Sequence, residues 1–166
     1  MTFGALLIVI LVVTLAPSVT QGTVNVRVYG FIPGGTVSHI YVKFSEVSLH
    51  TAGYPADSGW VNFANVLPRV DLVPQPSQLV PDALISARIQ SGRYDAIRLV
   101  AANSTVVIDN TPGLRVVTGS TVSANVTLPV PPSGIGEVLV LILVDYSLIL
   151  ASEPQLSLSV LQITSA

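Results

Sequence analysis

The sequence predicts a mainly β protein, an immunoglobulin-like β-sandwich of about 8–9 strands preceded by one apolar N-terminal α-helix. Three observations carry this. From Thr23 onward, apolar and polar residues alternate with a period of two, as in half-buried strands. Pro, Gly, Asn and Asp interrupt that alternation roughly every 8–12 residues, the spacing of a sandwich. Ahead of it, residues 3–16 form an uncharged, largely aliphatic run that Pro17 stops. The 166 residues suit one folded domain, so the chain divides into a hydrophobic N-terminal helix at 1–21 and a β-sandwich at 22–166.

The apolar run comes first. At about 1.5 Å per residue its helix reaches ~21 Å, short of the ~30 Å hydrocarbon core of a bilayer. Val24, Val26 and Val28 then alternate with Asn25, Arg27 and Tyr29 to give the first strand. After the Pro33-Gly34-Gly35 turn, Ile40, Val42 and Phe44 share a face that Val47 and Leu49 continue. That phase slip requires a bulge near Ser45 and Glu46. Residues 60–63 read as a short strand, and 66–81 as a proline-rich connection suited to covering a sheet edge. Residues 82–89 are expected to take one helical turn. Residues 94–102 and 105–109 are expected to form a hairpin about Asn103-Ser104, with Asn110-Thr111-Pro112-Gly113 as the next turn. Over 120–130, Val122, Ala124, Val126, Leu128 and Val130 face inward, while Ser123, Asn125 and Thr127 face outward. Residues 138–144 are apolar on both faces, so a central strand covered on both sides is expected. Leu156, Leu158 and Val160 mark the last strand.

Half the residues are hydrophobic, 10% are charged, and the mean hydropathy is +0.70. Seven Lys and Arg scattered among nine Asp and Glu make no basic stripe, which argues against nucleic acid. With no cysteine there are no disulfides, thiolate chemistry or Cys-ligated zinc. His39 and His50 fall at opposite ends of one strand, roughly 36 Å apart at about 3.3 Å per residue, so they share no metal. Neither shows a partner for a Ser-His-Asp triad, and no Gly-x-Ser-x-Gly elbow occurs. Gly134-Ile135-Gly136 precedes a strand and lacks a third glycine, which makes it a turn. Asp57, Asp71, Asp82, Asp95, Asp109 and Asp145 lie near strand ends without the spacing of a calcium loop, and read as turn chemistry. Asp145 is expected to pair with an arginine such as Arg98. Tyr29, Tyr41, Tyr54 and Trp60 would form a sugar-stacking platform only on one shared open face, and Trp60, followed by Val61 and Phe63, reads as packing. The expectation is no enzyme, cofactor or metal.

Two glycosylation sequons remain, Asn103-Ser104-Thr105 in an expected turn and Asn125-Val126-Thr127 with Asn125 facing outward. Glycans on Asn103 and Asn125 would solvate a surface poor in charge.

An uncharged N-terminal run followed by a β-sandwich resembles an archaeal type IV pilin. In that family a basic leader is cut off ahead of the hydrophobic run; the apolar helix waits in the membrane, then packs with its neighbours as the core of a helical filament. Carried over, the resemblance makes Phe3, Leu6, Leu7, Val9, Ile10 and Val13 polymerisation residues, although this helix is short and Pro17 closes it early. A second resemblance rests on Val42 to Leu49, Gly59-Trp60-Val61, Asp71-Leu72, Gly92-Arg93-Tyr94-Asp95-Ala96-Ile97-Arg98-Leu99 and Asp145. This order is similar to a family of secreted prokaryotic β-sandwich domains of unknown function, and implies fold and export only.

The expected function is a structural subunit of an extracellular, pilus-like filament. Its partners would be copies of itself, the membrane before assembly, and a surface or glycan receptor. The alternative is a secreted β-sandwich with a cleaved signal peptide. It would be either a donor-strand subunit whose residues 23–31 complete its neighbour, or a glycan-binding adhesion domain.

Overall fold

A computed structural model of the chain describes residues 20–31, 37–63, 66, 69–73, 83–108, 114–116, 120–145 and 157–165. The expected N-terminal helix, with Phe3, Leu6, Leu7, Val9, Ile10 and Val13, lies outside the described residues. The protein is mainly β. Its strands are β1 (Gln21–Phe31), β2 (Val37–Thr51), β3 (Trp60–Phe63), β4 (Val70–Asp71), β5 (Ala83–Gln90), β6 (Gly92–Ile108), β7 (Leu114–Val116), β8 (Thr121–Val130), β9 (Ile135–Asp145) and β10 (Ser157–Ser165). They form a four-stranded sheet in the order β10-β9-β1-β5 and a six-stranded sheet built on the long β2–β6 pair. β2 is flanked in succession by β4 and β3, and β6 by β7 and β8.

The period-two pattern decides which faces meet. Val24, Val26 and Val28 of β1 and Val138, Val140, Ile142 and Val144 of β9 are buried from the smaller sheet. Ile40, Val42, Val47, Leu49, Ile97, Leu99 and Leu128 are buried from the larger one, and all belong to one core, the arrangement of a β-sandwich. Each such side chain contributes about 1.5–3 kcal/mol when fully covered. The expected slip in β2 is present as a register shift between Phe44 and Glu46. Residues 70–73 cross one end of the sandwich and insert Leu72 into the core, 1% exposed. Gly30 permits this, because a Cβ there would overlap the Leu72 backbone carbonyl.

Four expectations need correction. Asn103-Ser104 is no turn: β6 runs straight through it, with Asn103 paired to Lys43 and Ser104 buried. β2 is long enough to satisfy the β6 backbone along almost its whole length, so the polar pair continues the ladder. Residues 83–90 are a strand, because antiparallel pairing with β1 outweighs local helix preference. β9 is central, but only one of its faces is fully buried; Leu139, Leu141 and Leu143 are half-buried on the other. Arg98 belongs to the opposite sheet from Asp145, and its guanidinium donates to Glu46 at 2.8 and 3.2 Å.

Candidate functional site

On the outer face of the larger sheet, strand register sets side chains from four neighbouring strands in rows. Trp60, His50, Ala96 and Asn125 make one row, and Asn62, Ser48, Arg98 and Ser123 the next. The connection from β2 to β3, residues 52–59, rises beside the first row and walls an open groove of about 850 Å³.

The groove is organised by an irregularity in β6. His50 pairs with Ala96 and Thr51 with Tyr94, so Asp95 is an extra residue bulged out of the ladder. A bulge re-aims its side chain. Here it turns the Asp95 carboxylate outward, where Oδ1 lies 2.6 Å from Nδ1 of His50. The other ring nitrogen, Nε2, is 3.0 Å from the Pro55 carbonyl. Both partners only accept, so the ring satisfies both when it carries both protons. The Asp95 hydrogen bond, followed by the one to Pro55, raises the His50 pKa above its ordinary 6.5.

The bond to Pro55 fastens the wall to the sheet, and Trp60 adds a second side-chain bond, its indole N–H donating to the Ala56 carbonyl at 2.9 Å. The Arg98 guanidinium sits 4.5 Å above the Trp60 ring, and His50 lies tilted against it at 5.1 Å. Glu46 accepts from Ser48 at 2.6 Å and from Arg98, and these bonds hold its carboxyl below the ordinary 4.5. At the top of the wall Tyr54 is 61% exposed, seated against Gly59, whose φ of +77° suits glycine.

A second pair occupies the far end of β2. Nδ1 of His39 lies 2.6 Å from Oδ2 of Asp71, while Oδ1 accepts the backbone N–H groups of Ile40 and Val73. Tyr41 stacks on His39 and carries Arg69 over its face. The expectation that neither histidine has a marked partner is therefore corrected at both positions. Among the described residues, no group of three His, Cys, Asp or Glu could hold a metal.

Asn125 is exposed on β8 and lines the groove, whereas Asn103 is half-buried further along β6. Of the four rings considered from sequence, Tyr54 and Trp60 share the groove; Tyr41 lies at the other end of β2, and Tyr29 on the other sheet. Sequence reasoning missed Asp95 as the partner of His50. It stood out as a carboxylate near a strand end, but no pattern in the sequence marks the bulge that aims it.

The family model described as Domain of unknown function (DUF4382) matches residues 21–158, from the start of β1 into β10. The chain belongs to this family. No curated protein and no solved structure matches the DUF4382 chain. The groove, the His50–Asp95 pair and the wall of residues 52–59 all lie inside the matched DUF4382 segment.

Proposed function

We propose that this DUF4382 protein is a non-catalytic structural subunit of an extracellular, pilus-like filament. The immunoglobulin-like sandwich lies outside, and the apolar N-terminal helix is held by the membrane before assembly and by other copies afterwards. The observation that supports it most is the outward face of the smaller sheet. In register, Tyr29 stands beside Leu141 and Phe31 beside Leu143, while Leu139, next along β9, stands beside Arg27 at the stripe's end. Phe31 is 48% exposed. A solvent-facing side of a sheet normally alternates to polar residues, and the sandwich core needs no leucines there. An apolar stripe on a chain this poor in charge favours contact with a neighbouring copy. The absence of charge from residues 3–16 supports the same reading. The non-catalytic reading gains support from His50, whose ring nitrogens are both engaged.

The test is expression of Leu141→Glu and Val9→Asp in the native host, with export checked by fractionation and filaments counted by electron microscopy. Both variants are expected to be exported with the β-rich circular dichroism of the parent and to give no filaments. Val9→Leu is expected to assemble, since volume-conserving apolar swaps cost less than about 1.5 kcal/mol. Filaments of normal number and length from exported Leu141→Glu and Val9→Asp overturn the proposal.

A further inference from the structure

We propose that the groove over β6 and β8 binds a neutral saccharide, with Tyr54 as the stacking ring and Asp95 and Asn125 as the groups that bind hydroxyls.

The chemistry of the lining selects this ligand class. A sugar ring offers an apolar C–H face and a rim of hydroxyls that both donate and accept. Its site therefore needs an exposed aromatic face beside planar polar groups. Tyr54 supplies the face, held out on a wall that is itself bonded to the sheet through Pro55 and Ala56. Ordering it on binding costs little, because the loop is already fixed. Asp95 spends Oδ1 on His50, and its half-exposed carboxylate lines the groove as an acceptor. Asn125 and Ser123 add amide and hydroxyl groups from β8. Trp60 frames the floor with Arg98 across one face, which leaves Tyr54 as the open platform.

Charge narrows the class further. In the lining the Asp95 carboxylate is bonded to His50, its one basic side chain, and beside the lining Arg98 is bonded to Glu46. A phosphate or sulfate would find no unmatched cation in this lining, and a free cation would find only one half-exposed carboxylate. An uncharged polyhydroxylated ligand fits this pairing.

The saccharide has two possible sources with one chemistry. It can be a glycan carried on Asn125, which opens the sequon Asn125-Val126-Thr127 and lines the groove itself, or a chain from another molecule.

Trp60 is the protein's single tryptophan and lines this groove, so its emission reports occupancy. Protein from a host without N-glycosylation would be titrated with neutral hexasaccharides of glucose, mannose, xylose and N-acetylglucosamine. The expected result is a saturable change in Trp60 emission with at least one of them. In Tyr54→Ala, binding should be at least about tenfold weaker. Asp95→Asn keeps shape and removes charge, and should weaken it less. Tyr41→Ala, at the far end of β2, should bind as the parent does. Circular dichroism would confirm that each variant is folded. Protein from the native host separates the sources: a glycan on Asn125 that blocks added hexasaccharide, with binding restored in Thr127→Ala, which removes the sequon and keeps Asn125, assigns the groove to the chain's own sugar. Open binding by native protein assigns it to another molecule. No saturable change with any of the four sugars in folded protein, or equal binding by Tyr54→Ala, overturns the proposal.

Discussion

On the smaller sheet the outward positions of β1 and β9 include Tyr29, Phe31, Leu139, Leu141 and Leu143, whereas on the larger sheet the outward positions of β2, β6 and β8 include Glu46, Ser48, His50, Arg98 and Asn125. Both faces cover the same core, so the difference is not required for folding. Apolar contact is non-directional and grows with area, which suits a face pressed against an identical neighbour. Hydrogen-bonded pairs fix angles and positions, which suits a face that must hold one groove in one shape. Under the two proposals above, two jobs are divided between two sheets, and each should be breakable without the other.

The largest effect should come from crossing from the outward to the inward face of β9. Val140→Asp buries an unpaired charge at a position with 0% exposure, and is expected to cost several kcal/mol, enough to unfold the domain. Its neighbour Leu141→Glu should leave the thermal melting temperature within a few degrees of the parent, because the residue is only half-buried. Equal melting temperatures for the two variants would mean that the face assignment of β9 is wrong.

Next comes Gly30→Ala. The added methyl meets the Leu72 backbone carbonyl, so one element must shift, at an expected cost of about 1–3 kcal/mol in urea unfolding. Gly92→Ala is the control, since nothing lies near a Cβ there.

The smallest effects, and the ones that sharpen the contrast most, concern pH. His50 has its pKa raised by Asp95 and Pro55, so the bond holding the wall is fully present below 6.5 and is lost as pH rises through the raised value. Glu46 has its pKa lowered by Ser48 and Arg98, so its contribution is present above 4.5 and is lost as pH falls through the lowered value. Amide hydrogen exchange in residues 52–59, corrected for the intrinsic pH dependence of exchange, should therefore accelerate on the alkaline side. Asp95→Asn should bring the His50 titration, followed by NMR, back toward 6.5. The stripe of Leu139, Leu141 and Leu143 has no titrating group, so exchange in β9 should show neither transition. Loss of protection in β9 together with the wall would mean that the two faces are not independent.

Much of the sandwich was legible because period-two alternation encodes which side of a strand faces inward. β1 follows it along its whole length, and even the slip after Phe44 could be read as a bulge. What alternation does not encode is where a strand stops. Asn103-Ser104 has the composition of a turn, yet it continues because β2 supplies partners on the far side. Residues 83–90 carry a mixed pattern that only pairing with β1 resolves. The groove was less legible still. Tyr54, Trp60 and Asn125 were visible as candidates, but their convergence depends on long-range register, and the aim of Asp95 depends on one inserted residue.

The first strand carries a consequence for the order of events. β1 lies between β5 and β9, and its parallel register with β9 sets Thr23 against Ile135. During synthesis this valine-rich strand leaves the ribosome ahead of both its partners and completes its pairing with β9 late, because loop closure over so many residues is slow. A chain interrupted before β9 would present one unsatisfied edge of β1 for as long as the interruption lasted, and open edges recruit other chains. Pairing with β9 therefore closes this edge of β1, and truncation ahead of β9 is expected to yield aggregates.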